Sequence, residues 1–143
     1  MKANNLYAKR KRKFTATINS NHNYPFTPNL LNQCFKVDKS NRVWVSDITY
    51  IQTRQGWHYL TVIIDLFNRK VIGWALSDNL TTEGTIVKAW EMVTKNTVLE
   101  QPLIFHSDRG VQYASHRFTS ILKSYNGFIR QSMSQKRTAG TMP

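Results

Sequence analysis

This sequence predicts a mixed α/β fold, a sheet with helices packed on it, and three observations carry that reading. Stretches 43–51, 57–66 and 70–76 are rich in Val, Ile, Tyr and Trp and follow one another across short polar breaks. Two apolar stripes at helical spacing come after them. Further strand-like runs alternate with those stripes. The resulting order, β-β-β-α-β-α-β, implies a five-stranded mixed sheet: three antiparallel strands, then alternating helix and strand.

Residues 1–42 show no sustained apolar period. Lys9, Arg10, Lys11, Arg12 and Lys13 form an unbroken basic run, and Asn/Thr/Ser/Pro-rich sequence follows through Pro28. This reads as an arm or linker, with a short strand or turn near Leu30 to Val37. From Val43 the texture changes to strand. Arg54-Gln55-Gly56 and Phe67-Asn68-Arg69 supply turn residues between sequential antiparallel strands. The middle strand ends almost continuously apolar at Val62-Ile63-Ile64, the pattern of a central strand covered on both faces. Ser77 to Thr82 offers capping residues, and Ile86, Ala89, Trp90, Val93 and Thr97 then recur at helical spacing. Leu103–Ser107 is the next strand. Ser115 caps a second helix with the stripe Phe118, Ile121, Leu122 and Tyr125; Gly127 ends it, and residues 128–133 form the last strand.

Composition narrows the function. Twenty Lys+Arg against eight Asp+Glu give a net charge of +12, a field suited to nucleic acid through release of phosphate counterions. No apolar run reaches membrane-spanning length, and the basic, polar start has no signal-peptide core. The single cysteine, Cys34, excludes an internal disulfide and fits a reducing cytoplasm.

Against this basic background two acids stand out. Asp47 lies inside the first strand, Asp108 closes the fourth, and no Asp or Glu follows Asp108. A carboxylate at the end of a buried strand is costly unless a positive partner meets it, and a metal ion is a common one. Two such carboxylates in a basic chain point to metal-assisted chemistry on phosphates.

The longer motifs carry a resemblance. Val43-Trp44-Val45-Ser46-Asp47-Ile48-Thr49-Tyr50-Ile51, Gly56-Trp57-His58-Tyr59-Leu60, Ile64-Asp65-Leu66-Phe67-Asn68-Arg69-Lys70-Val71-Ile72-Gly73-Trp74 and His106-Ser107-Asp108-Arg109-Gly110-Val111-Gln112-Tyr113 resemble the catalytic core of bacterial insertion-sequence transposases of the integrase-like, Asp-Asp-Glu type. The resemblance implies a ribonuclease-H-like fold, with residues 43–137 as the core and 1–42 as the remnant of an upstream DNA-binding segment. It implies that Asp47 and Asp108 are the first two catalytic carboxylates and ligands of Mg2+ (or Mn2+) over a DNA phosphate. The implied partners are DNA, as transposon ends and target, and further copies of the chain or a full-length transposase. Lys9–Lys13, Arg109, Lys136 and Arg137 are the expected DNA contacts, together with Lys123 and Arg130 as phosphate neighbours.

In that family the third carboxylate is a Glu on a helix roughly thirty-five residues past the second Asp, where it completes the metal clamp. Glu83, Glu91 and Glu100 all precede Asp108, so the triad is expected to be incomplete and the terminal helix absent. The tail gives a reason. Relatives run from a Ser-Met-Ser segment into Asn-Cys-Trp-Asp-Asn-Ala. The codons AAC-TGC-TGG-GAC-AAT-GCC, read one base later, spell Thr-Ala-Gly-Thr-Met-Pro, which is Thr138 to Pro143 here. Residues 138–143 are therefore expected to be a frameshifted tail.

Other residues carry competing readings. Asp65 is expected to be a structural partner for Arg69 or Lys70 rather than a ligand, and His106 either a site residue or a core histidine. Gln112 and Tyr113 are either DNA contacts or loop packing. Trp44, Trp57, Trp74 and Trp90 are expected in the core. The functional expectation is a transposase core fragment of a DNA cleaving and joining lineage, inactive for want of a ligand. The alternatives are a DNA-binding or transposase-interfering protein, or a relic without a role.

Overall fold

The computed structural model describes residues 27–31, 37–99 and 102–134. Strands β1 (Val43–Thr53), β2 (Gly56–Asp65) and β3 (Val71–Ser77) form an antiparallel meander. A π-helical turn, Glu83–Val87, leads into α1 (Lys88–Asn96), followed by β4 (Leu103–Ser107), a single turn α2 (Val111–Ala114), α3 (His116–Lys123) and β5 (Ile129–Met133). The sheet order is β3-β2-β1-β4-β5, with β4 parallel to β1 and β5 parallel to β4. The five expected strands are all present.

The sheet places β1 at its centre, not β2. The apolar end of β2 suggested burial on both faces, yet only Thr61, Ile63 and Asp65 are buried, while Leu60, Val62 and Ile64 on the opposite face are half-buried. The helices cover one face. There Trp44, Ile63, Phe105, Trp90, Val93, Phe118 and Leu122 form the core. Trp90 makes edge-on contacts with Trp44, Phe105, Phe118 and Tyr125, at centroid separations of 5.6, 5.6, 6.0 and 5.8 Å. Two of the four tryptophans escape the expected burial: Trp57 is 43% and Trp74 50% exposed, each at a strand position no helix covers.

Local chemistry explains the helix boundaries. Ser115 accepts the Phe118 amide at 3.3 Å, the cap its position promised. The preceding helix starts otherwise than expected. Thr81 Oγ1 accepts the Gly84 amide at 3.0 Å, but the Val87 amide reaches back five residues to the Thr82 carbonyl, at 3.1 Å, so the first turn is π-helical. Glu83 on this turn pairs with the exposed Arg117 of α3, tying the π-helical turn to that helix. Asp65 is 1% exposed and holds the β1 entry. Its Oδ2 accepts the Asn41 amide at 2.9 Å and its Oδ1 the Phe67 amide at 3.0 Å. Its role is structural, but through backbone amides rather than the cationic side chains of Arg69 or Lys70.

Candidate active site

The acidic pair follows from strand register. In the parallel ladder Val43 pairs with Ile104, Trp44 with Phe105 and Val45 with His106. The same offset carried two residues further sets Asp47 beside Asp108, on strands whose axes lie about 4.8 Å apart. Two carboxylates sixty-one positions apart in sequence thus become neighbours at the carboxyl end of β4. Asp47 is exposed and Asp108 half-buried.

Asp108 is held by the turn that follows it. Its Oδ1 accepts the Gly110 amide at 2.7 Å, an Asx-type turn. A Cβ on residue 110 would stand 2.9 Å from that oxygen, so glycine lets the carboxylate sit down on the backbone. The Asp108 pKa is raised from the ordinary carboxylate value, first by burial and then by the like charge of Asp47; the Gly110 amide opposes both. Each influence that raises it would be relieved by a nearby cation.

Behind the pair lies a hydrogen-bonded brace that sequence reading did not single out. Ser46 Oγ donates to the Val62 carbonyl at 2.8 Å and lies 2.9 Å from Tyr113 Oη. The single Ser46 hydroxyl proton is committed to Val62, so the Tyr113 hydroxyl is the donor between them. Tyr113 is buried, and its pKa is pushed well up by that burial, with Asp108 and Asp47 adding to the effect. Gln112 Nε2 donates to the Leu80 carbonyl at 3.2 Å. Both residues after the Asp-Arg-Gly turn are buried packing groups, which decides the open choice against DNA contact. The available clue was parity: Ser46 shares the inward face of β1 with Trp44.

His106 is half-buried on β4, with Nδ1 2.8 Å from Ser132 Oγ, and burial lowers its pKa. Ser132 is fully buried on β5 and also accepts the Leu30 amide at 2.8 Å. Arg109 Nε donates to the Ser134 carbonyl at 2.9 Å, bracing the end of β5. Lys123 and Arg130 are exposed. Lys9, Arg10, Lys11, Arg12, Lys13, Lys136 and Arg137, with the shifted tail and all of the expected arm but residues 27–31 and 37–42, lie outside the described residues.

Among the described residues no three His, Cys, Asp or Glu side chains gather into a metal-binding group. The donor set is the two carboxylates, and it suits Mg2+. That ion retains several waters and takes one or two protein carboxylates together with substrate phosphate oxygens. Among the described residues no helix is long and apolar enough to cross a membrane.

A five-stranded sheet in the order β3-β2-β1-β4-β5, helices on one face and an acidic pair where β1 and β4 run side by side, defines a ribonuclease-H-like domain. Solved structures agree on the fold. The catalytic core of HTLV-2 integrase in complex with magnesium superposes with a TM-score of 0.54 at 24% identity, covering 66% of this chain and 61% of that one. The catalytic core of BIV integrase gives 0.51 at 18% identity, over 69% and 58%. The chain belongs to the integrase core domain family, whose model matches residues 37–139. It is 43% identical over 131 residues to the insertion element IS600 uncharacterized 31 kDa protein of Shigella sonnei, spanning 92% of this chain and 47% of that protein. It is 40% identical over 131 residues to the transposase InsF for insertion sequence IS3A of Escherichia coli strain K12, spanning 92% and 44%. The chain therefore matches less than half the length of these curated relatives, and its core is of the insertion-sequence type.

Proposed function

We propose that the chain is a catalytic-core portion of an insertion-sequence transposase, acting in cytoplasmic DNA cleavage and strand joining with transposon ends and target DNA as substrates. The observation that carries this reading is the β1–β4 register, which brings Asp47 and Asp108 together in a chain of the integrase core family. In this reading the two carboxylates hold Mg2+ or Mn2+, and Gly110 and the Ser46–Tyr113 brace fix the geometry of their backbones. A divalent cation bound there would neutralise phosphate charge and sharpen the nucleophile. Phosphoryl chemistry of this kind depends on positioning and charge, and two strands of one sheet are a rigid place to position ligands.

The basic residues serve the DNA backbone: Lys9–Lys13, Arg109, Lys136 and Arg137 are assigned to phosphates, and further copies of the chain or a full-length transposase are the expected protein partners. Within these 143 residues the acidic pair is Asp47 and Asp108, with no Asp or Glu after Asp108, whereas the resemblance implies a clamp of three carboxylates. Alone, the chain is expected to bind divalent cations and DNA without joining strands. Two measurements test the reading. Calorimetric titration of Mn2+ into the chain should show binding that Asp47→Asn and Asp108→Asn each abolish; equal binding by all three would refute the site. An oligonucleotide joining assay should be blank, and Asp47-dependent product would refute the two-ligand account.

A further inference from the structure

His106 stands on the face of the sheet that carries the acidic pair. On β4 the buried Leu103, Phe105 and Ser107 point toward the helices, so the half-buried Ile104 and His106 point to the other face. On β1 the buried Trp44 and Ser46 likewise leave Val45 and Asp47 on that other face. His106 has Val45 as its direct partner on one side and Ser132 on the other. Asp47 therefore lies one strand across and one pleat along from His106, with Cβ atoms about 8 Å apart by strand geometry.

The orientation of the ring follows from Ser132. Its Oγ accepts the Leu30 amide at 2.8 Å and lies 2.8 Å from His106 Nδ1. Ser132 is fully buried, and among the described residues its hydroxyl proton has no acceptor but Nδ1. A buried hydroxyl proton is seldom left unpaired, so Ser132 donates and Nδ1 accepts. The imidazole is then neutral and carries its proton on Nε2. Nδ1 faces β5, so the opposite ring edge, with Nε2, faces the β1 side, where Asp47 lies. Nε2 has no acceptor among the described residues, and the imidazole does not join the two carboxylates as a third metal-binding side chain. A buried serine thus fixes one N–H donor and turns it toward the acidic pair.

We propose that His106 Nε2–H donates a hydrogen bond to a phosphate oxygen of the DNA strand held at Asp47 and Asp108, with Ser132 as the positioning residue that fixes the tautomer. This rests on the DNA reading above and deepens it, by naming a phosphate contact outside the carboxylate pair. A phosphate presents several oxygens, so one can meet a cation on the carboxylates while another meets His106. The acceptor is charged, which makes the bond stronger than one between neutral groups. A neutral donor supplies this contact without setting a second positive charge beside the cation.

Two measurements on the 143-residue chain at neutral pH test this. Long-range proton–nitrogen NMR spectra of the imidazoles, assigned with His106→Phe, should show His106 protonated at Nε2 and bare at Nδ1. Ser132→Ala should turn that state into a mixture of tautomers. Fluorescence anisotropy with a short single-stranded DNA, with and without Mn2+ at one ionic strength, gives the metal-dependent gain in affinity. His106→Phe should lower that gain about tenfold, while His106→Gln, which keeps an N–H donor, should retain most of it. A protonated Nδ1 in the wild type, an unchanged tautomer in Ser132→Ala, or a gain that His106→Phe leaves intact overturns the proposal. The wild-type spectrum decides even where a variant fails to fold. Absence of any Mn2+-dependent gain in the wild type overturns the DNA reading itself, and is told apart by that.

Discussion

Replacing Gly73 with alanine should loosen the helix α1 that backs the sheet. Gly73 lies on β3 opposite Ile63, beneath α1. A Cβ built there would stand 2.2 Å from Val93 Cγ2 and 2.7 Å from the Ala89 carbonyl oxygen. Val93 is β-branched and held to essentially one rotamer in a helix, and the Ala89 oxygen is backbone, so neither yields without moving α1. Overpacking by one methyl costs about 1–3 kcal/mol, and contact with a fixed carbonyl argues for the upper half of that range. In a domain of this size roughly 2–3 kcal/mol lowers Tm by about 6–12 °C. Gly56→Ala supplies the comparison. Gly56 has φ of 111° and nothing within 4 Å of its would-be Cβ, so alanine there costs backbone strain alone, about 1 kcal/mol. Thermal melts followed by circular dichroism would measure both. A Gly73→Ala chain that melts with the wild type, or no lower than Gly56→Ala, would refute the packing argument.

Two further predictions concern the site. Asp108 has a raised pKa, owing to burial and then to Asp47, so the folded chain holds its proton to higher pH than the unfolded chain does. Without divalent cations, stability should therefore fall as pH rises from the ordinary carboxylate range through the raised value, and Asp108→Asn should flatten that decline in urea titrations at several pH values. A cation at ten times its Kd should restore about 1.4 kcal/mol at neutral pH in the wild type and nothing in Asp108→Asn; an unchanged wild-type midpoint would count against the site. In the Ser46–Tyr113 brace the two deletions should differ. Ser46→Ala strands the buried Tyr113 hydroxyl and should cost roughly 1–3 kcal/mol, whereas Tyr113→Phe leaves Ser46 bonded to Val62 and should cost about 0.5–1.5 kcal/mol. The reverse order would show that the donor assignment is wrong.

The strands were legible because their chemistry is local. Turn residues at Arg54-Gln55-Gly56 and the β-rich runs fix where chain reversal occurs, and Leu103–Ser107 was bounded to the residue. The position of β2 in the sheet was not legible. Val62-Ile63-Ile64 reads as two-sided burial, but which strand becomes central depends on where β4 docks, a pairing between residues sixty-one apart. A comparable distance, 67 residues, hid the Ser46–Tyr113 bond, since neither residue signals its partner. Exposure of Trp57 and Trp74 was equally invisible: Trp74 is on the face the helices leave open, while Trp57 shares the face of buried Thr61 and Ile63 but stands at the far end of β2, and alternation gives neither which face is covered nor how far the cover extends. Asp47 and Asp108 were recognisable from the motifs around them; their adjacency belongs to the register.

The parallel docking of β4 on β1 has a consequence for how the protein comes into being. The antiparallel meander closes over a few residues at a time and gives rapid, local gains, while joining Val43 to Ile104 means closing a long loop before any reward arrives. During synthesis, the first aspartate is on the ribosome's outer side well before its companion has been translated. Any affinity for divalent ions is thereby deferred until the chain has committed to its whole topology, and an unfinished polypeptide is kept chemically idle.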